Sequence, residues 1–98
     1  MLIEVTQEHI DVGERRKTST CPVALALTDR LPGVRRLAVW LTVDGDPKIM
    51  LRKFNLQFEL PLPPEVGTFI QTFDGDGPTA ITPFAFTLPT MPEWALGD

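Results

Sequence analysis

Leu2 to Val5 reads as a short strand, after which Thr6 caps a turn of helix running to about Asp11 and ended by Gly13. The next apolar stretch, VALALTDRL after Pro22, is hydrophobic on nearly every side. That is the pattern of a helix packed beneath other elements. Pro22 fits the first helical turn, where its missing N–H has no partner to lose, and Thr20 or Cys21 stands at the N-cap position. Pro32 and Gly33 stop this helix near Leu31. A strand from about Arg35 to Val43 follows, with Leu37, Val39, Leu41 and Val43 on one face and Trp40 on the other. Asp44, Gly45, Asp46 and Pro47 supply a turn, and Ile49 to Leu60 reads as a second long strand that alternates at Phe54, Leu56, Phe58 and Leu60. Leu62 to Glu65 opens a helix in which Val66, Phe69, Ile70 and Phe73 recur at helical spacing, ended by the segment from Asp74 to Pro78. Ile81 to Leu88 closes the pattern as a strand, before a proline-punctuated tail to Trp94.

The order strand, helix, strand, strand, helix, strand predicts an α+β domain. Its expected architecture is the ferredoxin-like βαββαβ arrangement, in which two helices cover one face of a single antiparallel sheet. A chain of 98 residues is expected to form one domain over residues 1–98. With 43% hydrophobic and 22% charged residues, the composition is that of a folding sequence rather than a disordered one. No apolar run approaches the length that spans a bilayer, and Met1 to Thr20 lack the apolar centre of a signal peptide. A soluble cytoplasmic protein without membrane partners is therefore expected. The single cysteine, Cys21, excludes an internal disulfide, and one cysteine with one histidine cannot furnish an ordinary structural zinc site.

Charge changes the picture more than composition does. The net charge of −4 argues against binding long nucleic acid, yet all nine basic residues lie between Arg15 and Lys53, and none follows. The run Arg15, Arg16, Lys17, Thr18, Ser19, Thr20, Cys21 places cations and hydroxyls before the helix at Pro22. There the unpaired N–H groups and the positive end of the helix dipole favour a phosphate. Equally, the hydroxyls can simply cap a helix beneath a solvated loop. The run is not a P-loop, since the glycines and the Gly-Lys-Ser/Thr ending are missing.

Cys21 behind three cations has the setting of an activated thiolate, but the arginine of a cysteine-phosphatase loop would fall at Leu27. A small buried or capping cysteine is the simpler account, and His9 reads as a surface or hydrogen-bonded residue. The pairs Asp44/Asp46 and Asp74/Asp76 lack the further ligands of a calcium loop and read as turns. Trp40 shares its hairpin with Arg35, Arg36, Arg52 and Lys53, so it can stack on a base or pack against a helix or subunit.

The stretches IEVTQEHIDVG, CPVALAL, LPPEVGTFIQTFDGDG and PFAFTLP, which span most of the chain, resemble a set of short, mostly uncharacterised phage and bacterial proteins. The CPVALAL helix is the most distinctive of them. The resemblance implies a small phage-borne accessory protein of the host cytoplasm, of a kind that counters host immunity by binding an immune protein or by sequestering a nucleotide signal. It carries no catalytic residues across. Combined with the charge pattern, it gives the expectation of a non-enzymatic binding protein for a small phosphorylated ligand, needing neither metal nor cofactor. Arg15, Arg16, Lys17, Thr18, Ser19, Thr20, Cys21, Arg35, Arg36 and Trp40 are its expected ligand-binding residues. A domain of this size encloses little alone, so a homo-oligomer is expected. The alternative is an inhibitor that binds a host defence enzyme or complex directly.

Overall fold

The computed structural model describes residues 1–97 and shows an α+β fold built on two antiparallel sheets. The smaller sheet pairs β1 (Leu2–Val5) with β5 (Phe84–Thr87), Ile3 standing opposite Phe86. The larger is a meander of β2 (Arg36–Leu41), β3 (Pro47–Lys53) and β4 (Leu56–Pro61). Three helices complete the fold: α1 (Gln7–Val12), α2 (Pro22–Arg30) and α3 (Pro64–Asp76). Short 3-10 turns lie at Pro78–Ala80 and Glu93–Ala95.

The expected single ferredoxin-like sheet is thus replaced by two sheets, and the cause is local. The strand expected from Ile49 to Leu60 is broken by a two-residue turn at Phe54 and Asn55, which brings Lys53 opposite Leu56 and Ile49 opposite Leu60. β4 folds back along the second edge of β3, whose first edge already belongs to β2. No edge of β3 is left for β1, which pairs with β5 instead. The strand expected to continue to Val43 ends at Leu41, and Val43 is fully exposed in the following loop.

The helices hold the two sheets together. α2 packs against β1, β2 and α1, which explains why Pro22, Val23, Ala24, Ala26 and Leu27 are all buried rather than confined to one stripe. α3 lies on β3, and its Phe69 ring stands 4.6 Å from that of Phe84 on β5. Gly67 sits where α3 meets the β2–β3 turn: a Cβ there would stand 3.0 Å from the carbonyl oxygen of Gly45 and 3.1 Å from the Pro47 ring. Past α2, Gly33 donates its N–H to the Ala95 carbonyl (3.2 Å). A Cβ on Gly33 would stand 1.8 Å from the Trp94 oxygen, so only glycine permits this contact.

α1 is short and depends on its caps. Thr6 Oγ1 accepts from the His9 N–H (3.3 Å), and His9 Nδ1 accepts from the Thr6 N–H (3.0 Å), a capping box in which histidine replaces the usual acid. That bond makes Nδ1 the acceptor, so Nε2 carries the proton and donates to Asp29 Oδ2 on α2 (2.6 Å). Both ring nitrogens are engaged in tying α1 down.

Candidate functional site

The basic loop before α2 is held at several points. The Arg15 guanidinium donates to the carbonyls of Asp74 (2.9 and 3.2 Å) and Gly75 (2.7 Å), so it caps the last turn of α3, where carbonyls lack helical partners and the dipole is negative. Arg16 donates its N–H to Asp74 Oδ1 (2.9 Å) and takes the left-handed conformation, with φ 60°. The Thr18 carbonyl accepts from the Val39 N–H (2.8 Å), seating the loop on the free edge of β2. The Thr20 carbonyl accepts from the Glu14 N–H (2.9 Å).

The N-terminus of α2 is closed by the protein itself. Cys21 is its N-cap, and Sγ accepts from the Ala24 N–H (3.5 Å) among buried neighbours. Burial pushes the Cys21 thiol above its ordinary value, opposing the thiolate that nucleophilic chemistry requires. From the loop, Arg16, Lys17, Thr18 and Cys21 come together with Trp40 around a small cleft of about 190 Å³, which Asp74 also lines. Ser19 faces a neighbouring recess, and Arg15 points to α3.

A denser cationic group lies at the other end of β2. Arg36 stands opposite Arg52 in register, while the preceding residue, Arg35, also donates its N–H to the Arg52 carbonyl (2.8 Å). Two consecutive residues thus oppose one, a β-bulge that sets both arginines beside the third. Arg35, Arg36, Arg52 and Phe54 line a recess of about 370 Å³. The Arg35 guanidinium lies 4.9 Å from the centroid of the Phe54 ring, which is 71% exposed and carried on a backbone with φ 55°.

Among the described residues no carboxylate pairs with these arginines, and the one ion pair there joins His9 to Asp29. Like charges directly opposite on adjacent strands are destabilising, and here they create a concentrated positive field. Such a group is suited to bidentate hydrogen bonding of phosphate oxygens.

Trp40 occupies the same outer face of the sheet, opposite Lys48. It is half-buried but does not belong to the residues packed on the core, unlike Trp94. The sequence-derived set therefore divides: Arg16, Lys17, Thr18 and Cys21 meet Trp40 at its cleft, Arg35 and Arg36 line the arginine recess, Ser19 faces the neighbouring recess, Arg15 is bound to α3, and Thr20 lines none of these three recesses. Arg52 and Phe54 complete the recess and were absent from that set. Their signal lay in the parity of apolar positions, which shifts from odd at Ile49 and Leu51 to even at Phe58 and Leu60. A shift of this kind requires a turn between the two runs. Comparison of the chain with protein-family models, with curated proteins and with solved structures returns no match.

Proposed function

We propose that this chain is a non-enzymatic protein that binds and sequesters a small phosphorylated ligand, with Arg35, Arg36 and Arg52 as the phosphate-binding group. The observation that carries this reading is the bulge that sets three arginines around one recess with no carboxylate partner among the described residues. An arrangement that costs stability when empty is relieved by an oxyanion, which accepts paired hydrogen bonds from each planar group. Phe54, stacked beneath Arg35, offers its other face to a base. The recess is open on one side, so sequestration calls for a second subunit to cover the ligand, in line with a homo-oligomer. In this reading the ligand is a nucleotide immune signal and the setting is a phage accessory role in the host cytoplasm.

Calorimetric titration with pyrophosphate and a panel of mononucleotides and cyclic nucleotides tests the proposal. Replacing Arg36 or Arg52 with alanine is expected to weaken binding by about 10- to 100-fold, the effect of losing a charge-assisted hydrogen bond or two. Arg15→Ala is expected to leave affinity unchanged, because Arg15 serves α3. The absence of binding heat across the panel sinks the proposal.

A second reading is direct inhibition of a host defence protein. It predicts a stoichiometric protein complex that survives Arg36→Ala and Arg52→Ala.

A further inference from the structure

We infer that the recess of about 490 Å³ beside the arginines seats a nucleobase, read by the backbone N–H and C=O of Leu37, so that the ligand is a nucleoside phosphate. The inference rests on the phosphate-binding reading and adds the rest of the ligand and the group that reads it. Arg35 and Arg36 line this recess as well as the arginine recess, which makes the two adjoin.

In an antiparallel ladder, successive residues turn their N–H and C=O alternately toward the partner strand and away from it. Val39 turns away from β3, since its N–H donates to the Thr18 carbonyl, and Leu37, two residues earlier, turns the same way. Leu37 lines the recess although its side chain belongs to the core. Among the described residues nothing bonds to its N–H or C=O across this edge, which leaves a donor and an acceptor side by side. The opening is one residue long: on one side the Arg35 N–H is turned to β3 by the bulge, and on the other Thr18 occupies Val39. That is too short for an added strand. It fits the Watson–Crick edge of a single base, where each of the four common bases carries a donor beside an acceptor.

The walls suit a ring. Ala38 and Met50 stand opposite each other, a small side chain that leaves room beside a polarizable one that packs well on aromatic rings. Leu31 and Val34 line the recess on the side of α2. Ala38 is two residues from Arg36 on the same strand face, about 7 Å at ~3.3 Å per residue, which leaves the width of a ribose between base and phosphate. Phe54, 71% exposed, offers a base a face and no hydrogen bond; the recess offers a surface and both kinds of hydrogen bond.

Calorimetry with ribose 5-phosphate and the four common ribonucleoside 5′-monophosphates tests the inference. At least one nucleotide is expected to bind about 10-fold tighter or more than ribose 5-phosphate, the effect of a seated base with its hydrogen bonds. Methylation of that base at the ring nitrogen of its Watson–Crick edge, N1 of a purine or N3 of a pyrimidine, is expected to remove the gain in the unaltered protein. Ala38→Leu, which fills the recess, is expected to remove it too while leaving ribose 5-phosphate unchanged. A gain that survives methylation, or that Ala38→Leu keeps and Phe54→Ala loses, overturns the inference and puts the base elsewhere. Equal affinity for ribose 5-phosphate and all four nucleotides overturns it and leaves the phosphate site standing. Failure of the nucleotides to bind while pyrophosphate binds has the same meaning, and failure of pyrophosphate as well overturns the reading beneath it.

Discussion

Cys21 shows how one side chain can be placed for stability where its neighbours advertise reactivity. Three cations precede it and a helix begins at it, yet its sulfur faces the interior and caps Ala24. Removal from water disfavours the thiolate, so the folded protein holds the proton more tightly than the unfolded chain does. Linkage then fixes the sign: the stabilisation is complete below the ordinary thiol value of 9.0 and is lost as pH rises through that value toward the raised one in the fold. Urea unfolding of the wild type is expected to show a fall in stability above pH 9 that is smaller in Cys21→Ser. Identical pH profiles would show that the thiol does not titrate on unfolding. Arg15 carries the same lesson in another form. Its partners are carbonyls 59 and 60 residues away, a relation that no local pattern of charge reveals.

Among the elements, the turn at Phe54 and Asn55 decides the topology. A phenylalanine in the left-handed region is unfavourable by about 1–2 kcal/mol, and its exposed ring recovers only part of that through Arg35. Phe54→Gly is therefore expected to change stability by less than about 1 kcal/mol, because relief of strain offsets the lost stacking and the added freedom of the unfolded chain. Phe73→Ala, at a fully buried ring on α3, is expected to cost about 3–5 kcal/mol. Denaturant titration of the two variants separates them. A large loss at Phe54 would mean that its ring does more than close the turn.

The helices were legible because caps and punctuation mark them: Thr6, Pro22, and Pro32 with Gly33 all act where local chemistry places them. The turn was hidden because Phe54 is a residue that strands favour, and nothing in its type announces a positive φ. With the turn unread, β4 had no separate existence and Arg52 no particular neighbours. The candidate site was accordingly legible in residue type and only half legible in place.

For the molecule as a whole, the segregation of charge sets stability against binding. All nine cations precede residue 54, and folding concentrates three of them at a single bulge instead of dispersing them among the thirteen acidic residues. Arg52→Glu would turn the like-charged pair with Arg36 into an attractive one, and is expected to raise stability by about 0.2–1 kcal/mol while abolishing phosphate binding. Paired urea titrations and calorimetry measure both effects. A variant that is less stable than the wild type would show that the arginines already find compensation in the empty protein. The same logic gives salt opposite effects, easing repulsion in the free protein and weakening capture of its ligand.

The pairing of β1 with β5 has a consequence in time. Leu88 donates its N–H to the carbonyl of Met1 (2.8 Å), and Ile3 waits for Phe86. The meander joins neighbours and can close early, whereas β1 has no strand partner until nearly the whole domain has left the ribosome. During that interval the strand edge of β1 stays unpaired, although α2 can already pack on its face, and the small sheet is the last seam to be sewn.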